Sequence, residues 1–174
     1  MTIEKLQLKH KKEAMEIFNY YVINSTAAFP ADVLPDSFFN TILELMGDYP
    51  GYSLVENGKL IGFGFMKEYD QFLTFQNTVT VSYFISHNYV NRGLGTLLLL
   101  RLEEDAKMKG INNIIAEIST ENVLSLKFHE KNGFRYCGTL EDVGEKFGRK
   151  FGVVYMQKIL IPIQNSRALC QVAI

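Results

Sequence analysis

The first place in this chain where chemistry could happen is a glycine-rich turn. Arg92-Gly93-Leu94-Gly95-Thr96 follows the strand-like run Val81 to Ser86 and opens a long helical pattern. Glycines let backbone come close to a ligand, and the first N–H groups of a helix are unpaired at its positive dipole end. A strand, a turn and a helix in that order suit phosphate or pyrophosphate. The same two glycines could equally make a plain strand-to-helix turn, since glycine is the default turn residue. Neither Gly-x-Gly-x-x-Gly after a strand nor Gly-x-x-x-x-Gly-Lys-Ser/Thr occurs. No Ser-His-Asp or Cys-His constellation is evident, so no covalent nucleophile is expected. Cys137 and Cys170 have no paired spacing, which excludes a disulfide framework and metal knuckles and leaves no metal expected. His129 lies in a second helical segment, whereas His10 and His87 are expected at the surface.

The elements that must position these residues follow from periodicity and punctuation. Thr2 to Leu8 reads as a strand, and His10 to Ile23 as an amphipathic helix with Ala14, Ile17, Phe18, Tyr21 and Val22 at helical spacing. Asn24 to Phe29 is a loop. Asp36 and Ser37 cap a second helix through Met46, which Gly47 ends. Tyr52 to Glu56, Asn57-Gly58 and Lys59 to Lys67 form a hairpin, because Asn-Gly supplies the positive φ pair of a type I′ turn. Gly62-Phe63-Gly64 within it predicts a bulge. A further strand is expected from about Phe75 to Ser86. Leu94, Leu98, Leu102 and Ala106 place one apolar face on a helix running to Lys109, with Gly110 as its stop. Ile111 to Ser119 is a strand, Asn122 to Asn132 a short helix, and Phe134 to Leu140 and Phe151 to Leu160 the last two strands. The sum is an α+β layer with one mixed sheet.

Composition narrows the function classes. The chain has 174 residues, 47% hydrophobic and 21% charged, which fits one globular domain over residues 1–160 and a C-terminal tail over 161–174. Its net charge of −1 shows no basic excess, so no nucleic-acid partner is expected. No apolar run approaches the ~18–20 residues of a membrane span, and the N-terminus lacks the apolar stretch of a signal peptide. No membrane partner and a cytoplasmic location are the expectations.

Two segments resemble a known family. Arg92-Gly93-Leu94-Gly95-Thr96 is similar to the acyl-CoA pyrophosphate loop of the GCN5-related N-acetyltransferases (GNAT), with Asn91 where Gln or Arg often stands. Asn122-x-x-Ser125-x-x-Phe128-His129-Glu130-Lys131-Asn132-Gly133-Phe134 resembles that family's second signature. Within the family, the phosphinothricin and methionine sulfoximine acetyltransferases are most similar, through Asn19 to Phe29, Ser86-His87 and Lys146-Phe147-Gly148. The resemblance implies a GNAT fold: a single mixed, mostly antiparallel central sheet, helices on both faces and a splayed strand pair at the acetyl-CoA site. It implies acetyl transfer from acetyl-CoA to a primary amine of a small molecule by direct attack in a ternary complex, and a homodimer with Phe151 to Tyr155 as a plausible edge.

The resemblance also assigns roles. The backbone of Tyr83, Phe84 and Ile85 would pair with the pantetheine arm, and the Ile85 N–H would meet the oxyanion. Arg92, Gly93, Leu94, Gly95, Thr96 and Leu97 would hold the pyrophosphate. Asn122 would touch the pantetheine arm or serve only as a helix cap, and Lys131 would approach a phosphate or stand in solvent. His129 stands where many members place a tyrosine as general acid, or it packs locally. The chain departs from the herbicide-detoxifying members at three places. Thr80 occupies the position of their glutamate base and cannot serve as one. Phe72 and Phe75 replace an Arg and a Tyr, and Phe151-Gly152 replaces a His-Asp pair. The expected acceptor is therefore a less anionic amine, in a pocket lined by Phe29, Phe72 and Phe75, with deprotonation through water. An acyl-CoA-binding module without catalysis, and an enzyme acting on a peptide or protein amine, are the alternatives.

Overall fold

Asn57 and Gly58 take φ of 52° and 76°, and the strands on either side pair from Glu56↔Lys59 inward, as the Asn-Gly signal predicts. From this hairpin the rest of the sheet is built. The computed structural model describes residues 1–160, and the expected tail over 161–174 lies outside the described residues. The elements are β1 (Thr2–Lys5), α1 (Lys11–Asn24), α2 (Phe38–Met46), β2 (Gly51–Glu56), β3 (Lys59–Glu68), β4 (Thr78–Ile85), α3 (Leu94–Met108), β5 (Asn113–Ser119), α4 (Val123–Lys131), β6 (Arg135–Lys146) and β7 (Arg149–Ile159). Short 3₁₀ turns occupy Leu8–His10, Leu73–Phe75 and His87–Tyr89.

One sheet runs in the order β1-β2-β3-β4-β5-β7-β6, and every neighbouring pair is antiparallel except β4 with β5. Two apolar clusters cover its faces. On one, Leu94, Leu98, Leu99 and Leu102 of α3 pack on Val79, Val81, Ile114, Ala116 and Ile118. On the other, Ala14, Phe18 and Val22 of α1 and Phe39 and Ile42 of α2 pack on Leu60, Phe63 and Phe65. Alternation along β4 thus turns odd-numbered side chains towards α3 and even-numbered ones towards α1.

Four expectations are corrected. The strand expected from Phe75 begins at Thr78, because Leu73–Phe75 winds into a 3₁₀ turn. The last two strands run on to Lys146 and back from Arg149, closed by Phe147 and Gly148 at φ of 55° and 72°. That is a second turn with paired positive φ, in which phenylalanine stands where asparagine is usual. The bulge falls at Ile61, where Leu54↔Gly62 gives way to Val55↔Leu60. Gly62 and Gly64 instead permit close approach, since a Cβ would stand 2.6 Å from Ile85 Cδ1 and 2.9 Å from Tyr83 Cβ respectively. His10 is buried rather than at the surface, its Nδ1 accepting from the Gln7 N–H at 3.1 Å, and desolvation holds it below the ordinary imidazole pKa.

Candidate active site

The parallel pair β4 and β5 keeps only three rungs, Thr78↔Asn113, Val79↔Ile114 and Thr80↔Ile115. Beyond Thr80 the strands part, and the gap opens into a cavity of about 580 Å³. The start of α3, the face of α4 and Tyr21 and Ala27 complete its walls.

Backbone polarity in the gap follows from the ladder on the other side. The Ser86 N–H donates to the Ile61 carbonyl at 2.8 Å, and Phe63 faces Phe84. In an antiparallel pair, hydrogen-bonded residues alternate, so Phe84 turns its N–H and C=O to β3. Tyr83 and Ile85 therefore turn theirs into the gap. The Ile85 carbonyl accepts from the Tyr21 hydroxyl at 2.6 Å, which leaves the two N–H groups and the Tyr83 carbonyl facing the cavity. Phe84 accordingly offers no free backbone group. Its ring packs edge-on to Phe18 at 5.0 Å between centroids.

Gly93 caps α3 in the left-handed region at φ 75°, where a side chain is strained. The first bond of the helix runs from the Leu97 N–H to the Gly93 carbonyl at 3.1 Å. Leu94, Gly95 and Thr96 keep free N–H groups at the positive end of the dipole and line the cavity, whereas Leu97 closes the turn and lies outside the lining. A Cβ on Gly95 would stand 3.1 Å from the Phe128 ring, so this glycine lets α3 and α4 meet. Arg92 lies outside the lining too. Its guanidinium covers the Tyr89 ring at 4.8 Å and donates to the Asn88 carbonyl at 3.3 Å. Asn122 both caps α4, accepting from the Ser125 N–H at 3.1 Å, and lines the cavity, as do Lys127 and Lys131.

His129 is 3% exposed. Its Nδ1 lies 2.7 Å from the Ser125 carbonyl, a pure acceptor, so Nδ1 carries the proton. Its Nε2 then accepts from the Tyr83 hydroxyl. Desolvation lowers its pKa from 6.5 to about 4, and only the Ser125 carbonyl opposes that shift. Burial likewise holds the Tyr83 phenol well above the ordinary tyrosine range. At neutral pH the pair is uncharged, and the imidazole has no free N–H to give.

The even-numbered face of β4 and the odd-numbered face of β5 form the wall towards α1. Thr80 lies there with its Oγ1 buried and without a partner among the described residues, just behind the cavity lining. Glu117 stands on β5 two residues past the last rung. It lines the cavity, is exposed, and is the one carboxylate among the described lining residues. It raises the pKa of Tyr155, its partner in the β5–β7 ladder, after burial has done so. Sequence reasoning passed over Glu117, although the apolar Ile114, Ala116 and Ile118 already place it on the opposite face of its strand. Ser119 and Thr26 join at 2.7 Å, and Lys146 Nζ donates to the Ser25 and Ala28 carbonyls at 2.9 and 2.8 Å. These contacts fix the loop that carries Ala27. Burial lowers the Lys146 pKa.

Phe29, Phe72 and Phe75 do not line this cavity. Phe29 stacks on Phe151 at 6.0 Å, Phe75 meets Tyr69 at 5.7 Å, and all three are partly or largely exposed.

A splayed parallel pair beside a glycine-capped helix start is the arrangement that the resemblance to acyl-CoA-using enzymes implies. Residues 15–134 match the acetyltransferase (GNAT) family, and the chain belongs to it. An L-methionine sulfoximine/L-methionine sulfone acetyltransferase of Salmonella typhimurium is 32% identical over 82% of this chain and 84% of its own. The L-amino acid N-acyltransferase MnaT of Escherichia coli is 31% identical over 82% and 84%. Among solved structures, yncA of Salmonella typhimurium, determined with its cofactor acetyl-CoA, superposes with a TM-score of 0.83 at 28% identity, covering 92% of this chain and 94% of that one. The protein is an acetyl-CoA-dependent N-acetyltransferase.

Proposed function

We propose that the acceptor is the primary amine of a small molecule, of the amino-acid-analogue type on which the named relatives act. The observation that carries the reading is the parting of β4 and β5 beyond Thr80, which opens one cavity from the free N–H groups of α3 to Glu117. Leu94, Gly95 and Thr96 receive the pyrophosphate together with Lys131, and the Tyr83 carbonyl and N–H hold the pantetheine arm. Arg92, folded onto Tyr89, supports the loop as a nearby cation. Acetyl-CoA supplies the activated acetyl group. The Ile85 N–H lies in the gap to meet negative charge developing on the acetyl oxygen. Glu117, across the gap, takes the proton that the substrate ammonium must lose before its nitrogen attacks, in place of the carboxylate that Thr80 lacks. Tyr83, whose one hydroxyl proton goes to His129 Nε2, positions the arm beside the departing sulfur rather than donating to it. Phe29, Phe72 and Phe75 flank the acceptor entrance rather than its floor.

The protein works in the cytoplasm as a homodimer in this reading, and no helix among the described residues is long and apolar enough to cross a membrane. The test is free-thiol release from acetyl-CoA across a panel of amino acids, amino-acid analogues, polyamines and short peptides. Release stimulated by small amines supports the proposal. Stimulation by peptides alone, or release that no amine accelerates in protein that binds acetyl-CoA, overturns it.

A further inference from the structure

Two opposite charges share the stretch of sheet that α1 and α2 leave uncovered. Phe63 and Phe65 of β3 pack beneath those helices, and the next residue on the same side of the strand is Lys67. Lys67 pairs across the ladder with Thr80, and Thr80 with Ile115, so the three side chains form one row on that face. Glu117 stands on the same face, two residues further along β5. Beyond Phe65 these are the only charges that β3, β4 and β5 put there, since Glu68 pairs with Val79 on the α3 side. Lys67 is half-buried, and neither it nor Glu117 has a hydrogen-bond or ion-pair partner among the described residues. Other charged groups nearby are engaged. Lys146 donates to two loop carbonyls, Arg149 grips Glu121, Arg135 donates to Gln157, and Asp70 accepts from the Phe72 N–H at 3.0 Å.

Strands about 4.8 Å apart that rise about 3.3 Å per residue set the Cα atoms of Lys67 and Glu117 roughly 12 Å apart. That is too far for the two side chains to pair, and it suits a small zwitterion held at both ends. The loop after β3 bounds the same space. Burial raises the Tyr155 pKa, and Glu117 and then Tyr69 add to it, which puts the Tyr69 phenol over this face. We propose that Lys67 anchors the α-carboxylate of an amino-acid acceptor whose ammonium sits against Glu117. The proposal rests on the acetyltransferase reading above and narrows its acceptor to a zwitterion. With Glu117 alone, the acceptor carboxylate would meet an uncompensated like charge, and Lys67 turns that repulsion into a second point of attachment. A carboxamide or a decarboxylated amine leaves the lysine unused, so the pair discriminates by what the wrong acceptor fails to satisfy.

Matched triads test it: the free acid, the carboxamide and the decarboxylated amine of methionine, phenylalanine and leucine, each assayed for kcat/KM by thiol release. The acid is expected to exceed the other two at least about tenfold, mainly through KM, as for a charge-assisted contact. In Lys67→Met that preference collapses to within about threefold, while Lys67→Arg, which keeps the cation, retains at least about fivefold. Lys67→Gln replaces the methionine variant should that one not fold. Acids used no better than carboxamides by the wild type overturn the proposal. So does a preference that survives in the folded uncharged variant, or an arginine variant no more selective than the methionine one. Should the wild type release no thiol with any amine, the acetyltransfer reading fails by itself. Calorimetry on CoA-loaded protein then decides: phenylalanine bound more tightly than phenylalaninamide, with the difference lost in Lys67→Met, supports the anchor, and equal or no binding refutes it.

Discussion

His129 and Tyr83 are held together inside the protein, the imidazole donating from Nδ1 to Ser125 and accepting at Nε2. Two consequences follow from an imidazole whose pKa has fallen from 6.5 to about 4. The unfolded chain binds a proton here near pH 6.5 while the folded protein resists until about pH 4, so acidification across that window favours unfolding. At about 1.4 kcal/mol per pKa unit, the loss between about pH 7.5 and pH 4 is roughly 3 kcal/mol. His10, also lowered by burial, adds to it with the same sign. Urea unfolding at the two pH values measures the loss, and His129→Gln should remove the larger part of the dependence. The second consequence concerns turnover. If the pair acts as one unit, Tyr83→Phe and His129→Phe each lower kcat by roughly 10–100-fold, and the double variant falls no further than the worse single. Additive losses would show two independent roles. The segment around His129 was legible in the sequence, and its burial was not, because burial depends on Tyr83 arriving from a strand 46 residues away.

At the scale of elements, what could be read early is what is encoded locally. The Asn57-Gly58 turn, the apolar stripe of α3 and the glycine that starts it all came from neighbouring residues. Phe147-Gly148 adopts the same positive φ pair without the asparagine that advertises it, and so two strands were read as shorter than they are. The register that sets Glu117 two residues beyond the last rung is a property of β4 against β5, which no local pattern contains. Helix α3 provides the sharpest test at this scale. Gly93→Ala places a methyl group at φ 75°, costing about 1 kcal/mol of stability and weakening acetyl-CoA binding. Gly95→Val leaves the backbone unstrained but pushes α3 from the Phe128 ring, and KM for acetyl-CoA should rise at least about tenfold with little change in the acceptor KM. Equal rises in both would mean that the two halves of the cavity are not independent.

At the scale of the whole molecule, exposed Tyr136, Leu140 and Val143 on the edge strand β6 present apolar side chains to solvent. Sheet edges of this kind invite pairing, and they correct the expected edge from Phe151 to Tyr155, because β7 is paired on both sides, by β5 and by β6, and has none to offer the proposed homodimer. Light scattering coupled to gel filtration should return about twice the chain mass of 19.9 kDa, and a particle of the single mass would end the proposal. Phe29, Phe72 and Phe75, expected to line the acceptor pocket, lie outside the cavity lining and are partly or largely exposed, because residue type reports the chemistry of a side chain and not its depth.

The gap between β4 and β5 has a further meaning for the sheet itself. A ladder that stops after three rungs is an unfinished sheet, and a pantetheine arm carries amide groups of the kind a strand would bring. In the proposed binding mode acetyl-CoA would serve as a non-peptide strand, inserted edge to edge where the polypeptide leaves a slot. Amide protons of Tyr83 and Ile85 should exchange with deuterium rapidly in the free protein and slowly once the arm is in place. Those of Phe84 and Ser86, already committed to β3, should change little. An alternating pattern of protection along four consecutive residues would be the signature of a cofactor read by the rules of β-pairing.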